Sequence, residues 1–319
     1  FVQEKYGLDR SFKCKLFRTG MNHTYFISDG ITKFVVRVYC HNWRSKNEIQ
    51  EELKLLKTLK DNSLNVSFPI PDKDENLIQS VNAPEGLRYI VVFSFAEGKK
   101  MRFMSNDTCF EIGSLMAKIH TLTENKKIDR VNYNSNKLFN ESYDHLSKYF
   151  SEELPEMKYL EKIGKEITRT FDEMSFLDFR QGVVHLDIWY DNLSVNEDNE
   201  ITIFDFDNCG NGHFILDIGY FCKQLFFIES NKEQYELKVE SLLNGYRSIK
   251  NISDAEIKYI PEAGASIFAF YLGVQAQRFD WSNIFLTENY LKMFVGRIES
   301  WLDFYKDKEK TGANKTYKQ

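Results

Sequence analysis

Long apolar runs are missing from this 319-residue chain. A helix that crosses a bilayer needs about 18 to 20 consecutive apolar residues, and the best stretch, Ser266 to Val274, falls well short. An integral membrane protein, or a membrane partner, is therefore not expected. Cysteine is scarce and scattered. Cys14, Cys40, Cys109, Cys209 and Cys222 form an odd set without a C-x-x-C spacing, so neither a disulfide framework nor a zinc site is expected, and a reducing cytoplasm is the expected compartment. Phe1 to Arg10 is charged and mixed where a signal peptide would have a basic start and an apolar centre. No Met stands at position 1, and the trimming of a few leading residues is expected. A basic patch interleaved with aromatics is absent, which argues against a nucleic-acid partner. No internal repeat at a period of about 20 to 50 residues is present.

Hydrophobic residues make up 42% of the chain and aromatics 15%, which marks a folded protein with a sizeable core. At about 100 to 200 residues per domain, the length predicts two domains or one large one. The net charge of −5 is uneven: residues 1–95 carry +3, residues 96–305 carry −11, and the tail from Lys306 carries +3. An acidic second region either attracts cations or is a solvated surface.

The first ninety residues read mostly as strands. Tyr25 to Ile27 and Lys33 to Tyr39 are β-rich and flank the turn signal Ser28-Asp29-Gly30, which predicts a hairpin. Ile49, Leu53, Leu56 and Leu59 share one face of an amphipathic helix that ends before Asp61-Asn62-Ser63. An extended segment at Pro69-Ile70-Pro71, a polar turn over Asp72 to Asn76 and a strand over Arg88 to Phe95 follow. Beyond Gly98-Lys99-Lys100 the periodicity turns helical: Ile112, Leu115, Met116 and Ile119 lie on one stripe, a long helical region runs from Leu138 to about Ser175, and more follows Glu229. The exception is Gly182 to Phe206, where Val183-Val184, Leu193 to Val195 and Ile201 to Phe206 read as short strands. The tail after Tyr305 is expected to fray. The expected division is 1–95, 96–305 and 306–319.

Chemistry concentrates in that exception. In His185-Leu186-Asp187-Ile188-Trp189-Tyr190-Asp191-Asn192 an Asp and an Asn stand five positions apart, and Asp205-Phe206-Asp207 begins thirteen residues after Asn192. Phosphoryl transfer needs a carboxylate to orient the attacking hydroxyl and take its proton, and hard oxygen ligands for Mg²⁺. The spacing matches the H-x-D-x-x-x-x-N and D-F-x elements of protein kinases. The plain alternative for Asp187 and Asp205 is a pair of turn-forming or strand-end carboxylates.

With those motifs on a small β-rich region and a large helical region, the chain resembles the aminoglycoside phosphotransferase and choline kinase-like family from about Arg18 to Leu302. The resemblance implies an α+β fold of the two-lobed protein-kinase-like kind: a small antiparallel β-sheet N-lobe with one helix, and a large, mainly helical C-lobe. It implies an enzyme that uses ATP and Mg²⁺ to phosphorylate a small-molecule hydroxyl. Carried over, Asp187 is the catalytic base, Asn192 and Asp205 are Mg²⁺ ligands, and Asp207 is the second acid of D-F-D, placed near metal. His185 holds the loop, and Asp217 of Leu216-Asp217-Ile218-Gly219 accepts backbone N–H bonds from it. Arg37 takes the place of the phosphate-binding Lys with Glu52 as its ion-pair partner. The loop Arg18 to Tyr25, with Asn22, covers the phosphates with one Gly where kinases have three, and Ser94, Phe95 and Ala96 resemble the backbone hinge that meets adenine.

Other readings stand beside these. Arg37 could be the solvent-facing member of a strand, and Glu52 a member of an acidic helix surface. Leu186 occupies a position that is commonly Gly. His120 reads as a buried helix-end histidine rather than a ligand. Trp189 is placed to touch the acceptor. Asp280, in the cluster Gln277 to Trp281, belongs either to an aromatic wall for a cationic acceptor or to a surface helix end. A metabolite such as an amino alcohol, a homoserine-like compound or a sugar ranks above an aminoglycoside-type antibiotic as acceptor. A nucleotide-binding pseudokinase is the reading from another class. A protein kinase is disfavoured by the lack of D-F-G, of an A-P-E segment and of an activation loop between Asp205 and Asp217.

Overall fold

Aromatic and β-branched residues between Lys13 and Phe95 build an antiparallel sheet in the computed structural model, which describes residues 1–177, 179–278 and 283–310. A short helix, α1 (Val2–Tyr6), precedes β1 (Lys13–Thr19), β2 (His23–Ser28) and β3 (Lys33–Val38). Helix α2 (Lys46–Asp61) leads to β4 (Pro69–Ile70), β5 (Gln79–Ala83) and β6 (Gly86–Ser94). The strands lie in the order β1-β2-β3-β6-β4, with β5 also on β6. Alternation gives the sheet two faces. Ile27, Val36, Ile90 and Val92 form a buried cluster on one of them, with Val2 and Tyr6 packed against it, and Arg37 points to the other. Ser45 and Glu48 close a capping box at the start of α2, whose buried positions include Ile49, Glu52, Leu53, Leu56 and Leu59. Periodicity predicts a single helix in this region; α1 is a second, too short to show any.

The remaining elements are mainly helical: α3 (Asn106–Thr123), α4 (Glu141–Leu146), α5 (Pro155–Phe176), β7 (Gln181–Val184), β8 (Leu193–Val195), β9 (Ile201–Ile203), β10 (Gly210–His213), α6 (Ile215–Ile228), α7 (Lys232–Arg247), α8 (Asp254–Ile257), α9 (Ile260–Gln277) and α10 (Glu288–Lys310). The helical region expected from Leu138 to Ser175 is interrupted between Leu146 and Pro155. Pro155 stands at the first turn of α5, the one helical site where its missing N–H costs nothing. The strand expected over Ile201 to Phe206 ends at Ile203, and Phe206–Asn208 forms a 3₁₀ turn. Strand β10 carries no strand signal in its Gly-Asn-Gly-His sequence and is held by pairing with β7. Helix α10 continues past Tyr305 to Lys310. Among the described residues no helix is long and apolar enough to cross a membrane.

The chain divides into two compact units: Phe1–Lys100 with Asn192–Asp207, and Met101–Asp191 with Asn208 onward. The first therefore takes in the β8–β9 hairpin, which the sequence reading grouped with the helices. Its hydrogen bonds explain why. Val195 N and O exchange bonds with Lys99, Ile203 N donates to Asn65 O, and Ser67 N donates to Ile203 O, so the hairpin is stitched to segments on both sides of β6.

In the second unit α6 and α9 approach closely at two glycines. A Cβ on Gly219 would lie 2.8 Å from Gly264 N and 2.7 Å from Ala263 Cβ, and one on Gly264 would lie 2.8 Å from Gly219 O. Gly219→Ala should destabilise the protein by about 1 to 3 kcal/mol by forcing α6 off α9. At Gly296 of α10, where a Cβ would meet nothing within 4 Å, the same change should stabilise by about 0.5 to 1 kcal/mol. Urea unfolding of the two variants checks both signs.

Candidate active site

In the first unit the site is built around one guanidinium. Arg37 lies on β3, paired with Thr24 and Val91, and is 9% exposed. Its Nη1 donates to Glu52 Oε1 at 2.8 Å and its Nη2 to Asp205 Oδ1 at 2.8 Å. Glu52, fully buried on α2, also accepts from the Tyr39 hydroxyl through Oε2 at 3.0 Å. Arg37 is thus not the solvent-facing member of its strand, and Glu52 does not belong to an acidic surface. Burial alone pushes the Arg37 pKa down, but Asp205, Tyr39, Glu52 and Asp207 together carry it well above its ordinary value. Burial and the charge of Glu52 likewise push the Tyr39 phenol well up, so it stays a donor.

Asn192 and Asp205 are neighbours because β8 and β9 pair. Leu193 faces Ile203 in that ladder, and one step further Phe204 N donates to Asn192 O at 3.1 Å. Asp205 takes φ +67°, a left-handed conformation that Asp tolerates better than most residues. Its side chain is 44% exposed while that of Arg37 is 10%. A half-exposed carboxylate and an amide on paired segments of backbone are hard oxygen donors of the kind that suits Mg²⁺.

Asp207 differs. It is 5% exposed; its Oδ2 accepts from Trp43 Nε1 at 2.8 Å and its Oδ1 from Arg44 Nε at 3.4 Å. Both oxygens tie it to the loop between β3 and α2, an anchoring role that the sequence did not suggest. Asn22 accepts from Cys40 N through Oδ1 at 3.1 Å, which pins the turn between β1 and β2 to the end of β3. Ser94 is committed to the neighbouring segment: its N donates to Phe68 O, its carbonyl accepts from Ser67 Oγ and its Oγ from Phe68 N. The β3–β6 ladder ends there. Phe95 follows, edge-on to Phe26 at 5.7 Å, with Lys33 Nζ 4.0 Å from its ring centre, and Ala96 comes next.

In the second unit Asp217, fully buried at the start of α6, organises the loop after β7. Its Oδ2 accepts from His185 N at 2.9 Å and its Oδ1 from Leu186 N at 2.7 Å. His120 Nε2 lies 3.1 Å from Oδ2, and His120 Nδ1 lies 2.9 Å from the Tyr246 hydroxyl. Burial pushes Asp217 up, but His120, His185 and the backbone donors hold it below the usual carboxylate range. Burial lowers His120 despite Asp217. A neutral imidazole that donates through Nε2 and accepts through Nδ1 satisfies both contacts. His120 is a buried, satisfied residue, stacked on Phe214 at 4.2 Å. Leu186 adopts φ +67°, the left-handed geometry a Gly would reach without strain. His185 Nδ1 accepts from Asp187 N at 3.1 Å, which places it as a structural member of the loop.

Asp187 itself meets residues that the sequence reading missed. The Tyr220 hydroxyl donates to Asp187 Oδ1 at 2.9 Å, and Gln224 Nε2 donates to that hydroxyl at 2.7 Å. The Tyr271 hydroxyl donates to Leu186 O at 3.3 Å and accepts from Asn208 Nδ2 at 3.1 Å. Helical spacing offers a faint signal, since Tyr220 and Gln224 lie three and seven residues after Asp217 on one face of α6; nothing in the sequence marks Tyr271. Trp189 is half-exposed, with its ring edge-on to Tyr190 at 4.8 Å. Asp280 lies outside the described residues.

Residues 13–252 match the profile of the phosphotransferase enzyme family. The chain is similar to a homoserine kinase of Agrobacterium fabrum, 27% identical over 245 residues covering 74% of this chain and 70% of that protein. Among solved structures, a microcompartment-associated aminopropanol kinase aligns with a TM-score of 0.78 and 19% identity over 97% of this chain and 96% of its own. An amicoumacin kinase in complex with AMP-PNP and Ca²⁺ aligns with a TM-score of 0.74 and 18% identity, covering 91% and 88%. At these identities the structural likeness concerns the fold, the protein-kinase-like one that the sequence resemblance implied.

A buried neutral histidine makes stability depend on pH. The pKa of His120 is lower folded than unfolded, so below about pH 6.5 the unfolded chain binds the extra proton and stability falls with pH; above that value this contribution is complete. The slope is at most about 1.4 kcal/mol per pH unit for each such proton. His120→Gln should be less stable at pH 7.5 and show a flatter loss between pH 7 and 5 in urea titrations. An unchanged slope would contradict the neutral assignment.

Proposed function

Because the chain belongs to the phosphotransferase enzyme family, we propose that it moves the γ-phosphate of ATP to the hydroxyl of a small amine-bearing metabolite, with Asp187 as base and Asn192 and Asp205 as Mg²⁺ ligands. The observation that carries the reading is the Arg37 guanidinium bonded at once to Glu52 and Asp205. A buried cation fixed by a buried carboxylate, with its second edge on a half-exposed acid, is built to meet phosphate oxygens beside a metal ligand. A structural ion pair would need only one of the two carboxylates.

When bound, Mg²⁺ would neutralise phosphate charge that develops during transfer. The chain's own groups do the rest. Asp187 orients the acceptor hydroxyl and receives its proton as the oxygen attacks the γ-phosphorus. The bond from that phosphorus to the bridging oxygen breaks, ADP leaves, and the product is a phosphate monoester. Arg37 holds the non-transferred phosphates, and Phe95 and Ala96, past the end of the β6 ladder, meet adenine. Asp207 and Asn22 hold the surrounding loops in place.

For the acceptor, the net −11 of residues 96–305 favours a cation. The aromatic rings of Trp189, Tyr190, Tyr220 and Tyr271 suit one. The homoserine kinase and aminopropanol kinase among the similar proteins act, by their names, on small hydroxyl compounds that carry an amine. A cytoplasmic setting agrees with the need for ATP and with five cysteines that form no disulfide.

Asp187→Asn should lower turnover by about 10³-fold or more while the Mg·ATP-induced rise in melting temperature stays near wild type. Asp205→Ala should shrink that rise. In a thermal-shift panel of amino alcohols, aminoglycosides and sugars, a small amino alcohol is expected to add a further shift. A shift with aminoglycosides alone would reassign the acceptor, and wild-type turnover in Asp187→Asn would remove it as base.

A further inference from the structure

We infer that Tyr220, oriented by Gln224, is a positioning residue that sets both the direction and the proton affinity of Asp187. The inference rests on the reading of Asp187 as the base. Tyr220 is 3% exposed and sits on α6, one turn after Asp217, whose carboxylate anchors the backbone of His185 and Leu186. A single helix turn thus holds the loop's main chain at one position and its reactive side chain at another. The close approach of α6 and α9 at Gly219 and Gly264 keeps that turn in place and sets Tyr220 beside Tyr271, with ring centres 5.6 Å apart and planes tilted by 35°.

The hydrogen bonds have one consistent direction. Gln224 Nε2 donates to the Tyr220 oxygen at 2.7 Å, which commits the phenolic proton to Asp187 Oδ1 at 2.9 Å. Burial, then the Asp187 charge, pushes the Tyr220 phenol well above its ordinary pKa, so the proton stays on the phenol. The bond removes one rotational freedom of the carboxylate and helps to set the plane in which the acceptor hydroxyl must approach; orientation of this kind is worth orders of magnitude in rate. A donor to an ionised carboxylate also lowers its affinity for a proton. Among the described residues the groups that face Asp187 include Tyr220 from α6, Tyr271 from α9, which also borders the Tyr220 hydroxyl, with Tyr133 beyond it, and His185 in its own loop.

The test is steady-state kinetics of the full-length Tyr220→Phe and Gln224→Met variants with Mg·ATP and the acceptor found in the panel. Tyr220→Phe should lower kcat about 10 to 100-fold and leave KM for ATP within about twofold. It should also move the acidic limb of kcat/KM to higher pH, because Asp187 must be ionised to act and loses a donor that favours ionisation. Gln224→Met keeps the phenol and loses only its orientation, so it should shift both quantities in the same direction by less, and it gives the answer should Tyr220→Phe fold poorly. Wild-type kcat and an unmoved acidic limb in a folded Tyr220→Phe, or in Gln224→Met should that be the variant that folds, would overturn the inference. A lowered kcat with an unmoved limb would also overturn it, since the residue would then be structural. Asp187→Asn, measured alongside, separates the two levels: if it is inactive, only the role of Tyr220 has failed, and if it turns over normally the underlying reading has failed too.

Discussion

The helical unit's candidate base depends on one buried negative charge. Asp217 has no exposure to solvent, and removing a carboxylate from water costs several kcal/mol unless its lone pairs are filled. Here they are filled by the backbone N–H groups of His185 and Leu186 and by His120, each such bond to a charged group contributing about 1.5 to 3 kcal/mol. The same bonds offset the left-handed backbone of Leu186, a conformation that costs about 1 to 2 kcal/mol for a residue with a Cβ. Burial, charge and strain therefore stabilise one another only as a set. Asp187, the next residue, inherits its position from them.

Arg37 has the corresponding role in the sheet-containing unit, with the sign reversed. It is a buried cation that would be as costly alone as Asp217, and it is satisfied by Glu52 on one edge and Asp205 on the other. Glu52 has a second donor in Tyr39, so the inner pair is fixed. Asp205, half-exposed and also left-handed in φ, is the member of the cluster that stays in contact with water. The pattern agrees with a general expectation that strained backbone and compensated charge collect where a protein acts. It also separates the two acids of Asp205-Phe206-Asp207, since Asp207 is held by Trp43 and Arg44.

Much of this was legible along the chain. The H-x-D-x-x-x-x-N string and the following D-F-D lie in short segments whose spacing is local, so a reader of the sequence could place Asp187, Asn192 and Asp205 without coordinates. Arg37 in the apolar strand Val35 to Val38 and Glu52 on the next helix were visible as candidates, but each had an ordinary surface reading that only burial and a bond length removed. Pro155 is a local helix-start signal that the reading of one helical region from Leu138 to Ser175 passed over, whereas the short α1 and the pairing of Gly210–His213 with β7 were not readable. In these last two, neighbours in space rather than local preference decide the conformation.

The sequence by itself determined the alternation of strands and helices, the H-x-D-x-x-x-x-N and D-F-D motifs and the family resemblance, because periodicity and motif spacing are properties of adjacent residues. Only the tertiary structure decided that Asp207 is an anchor, that the β8–β9 hairpin belongs with the sheet, and that Tyr220 and Tyr271 reach the loop of Asp187. Those facts arise from contacts between residues tens to more than a hundred positions apart. Such contacts form when buried polar groups must find partners wherever the fold brings them, and no local pattern records which partner that will be.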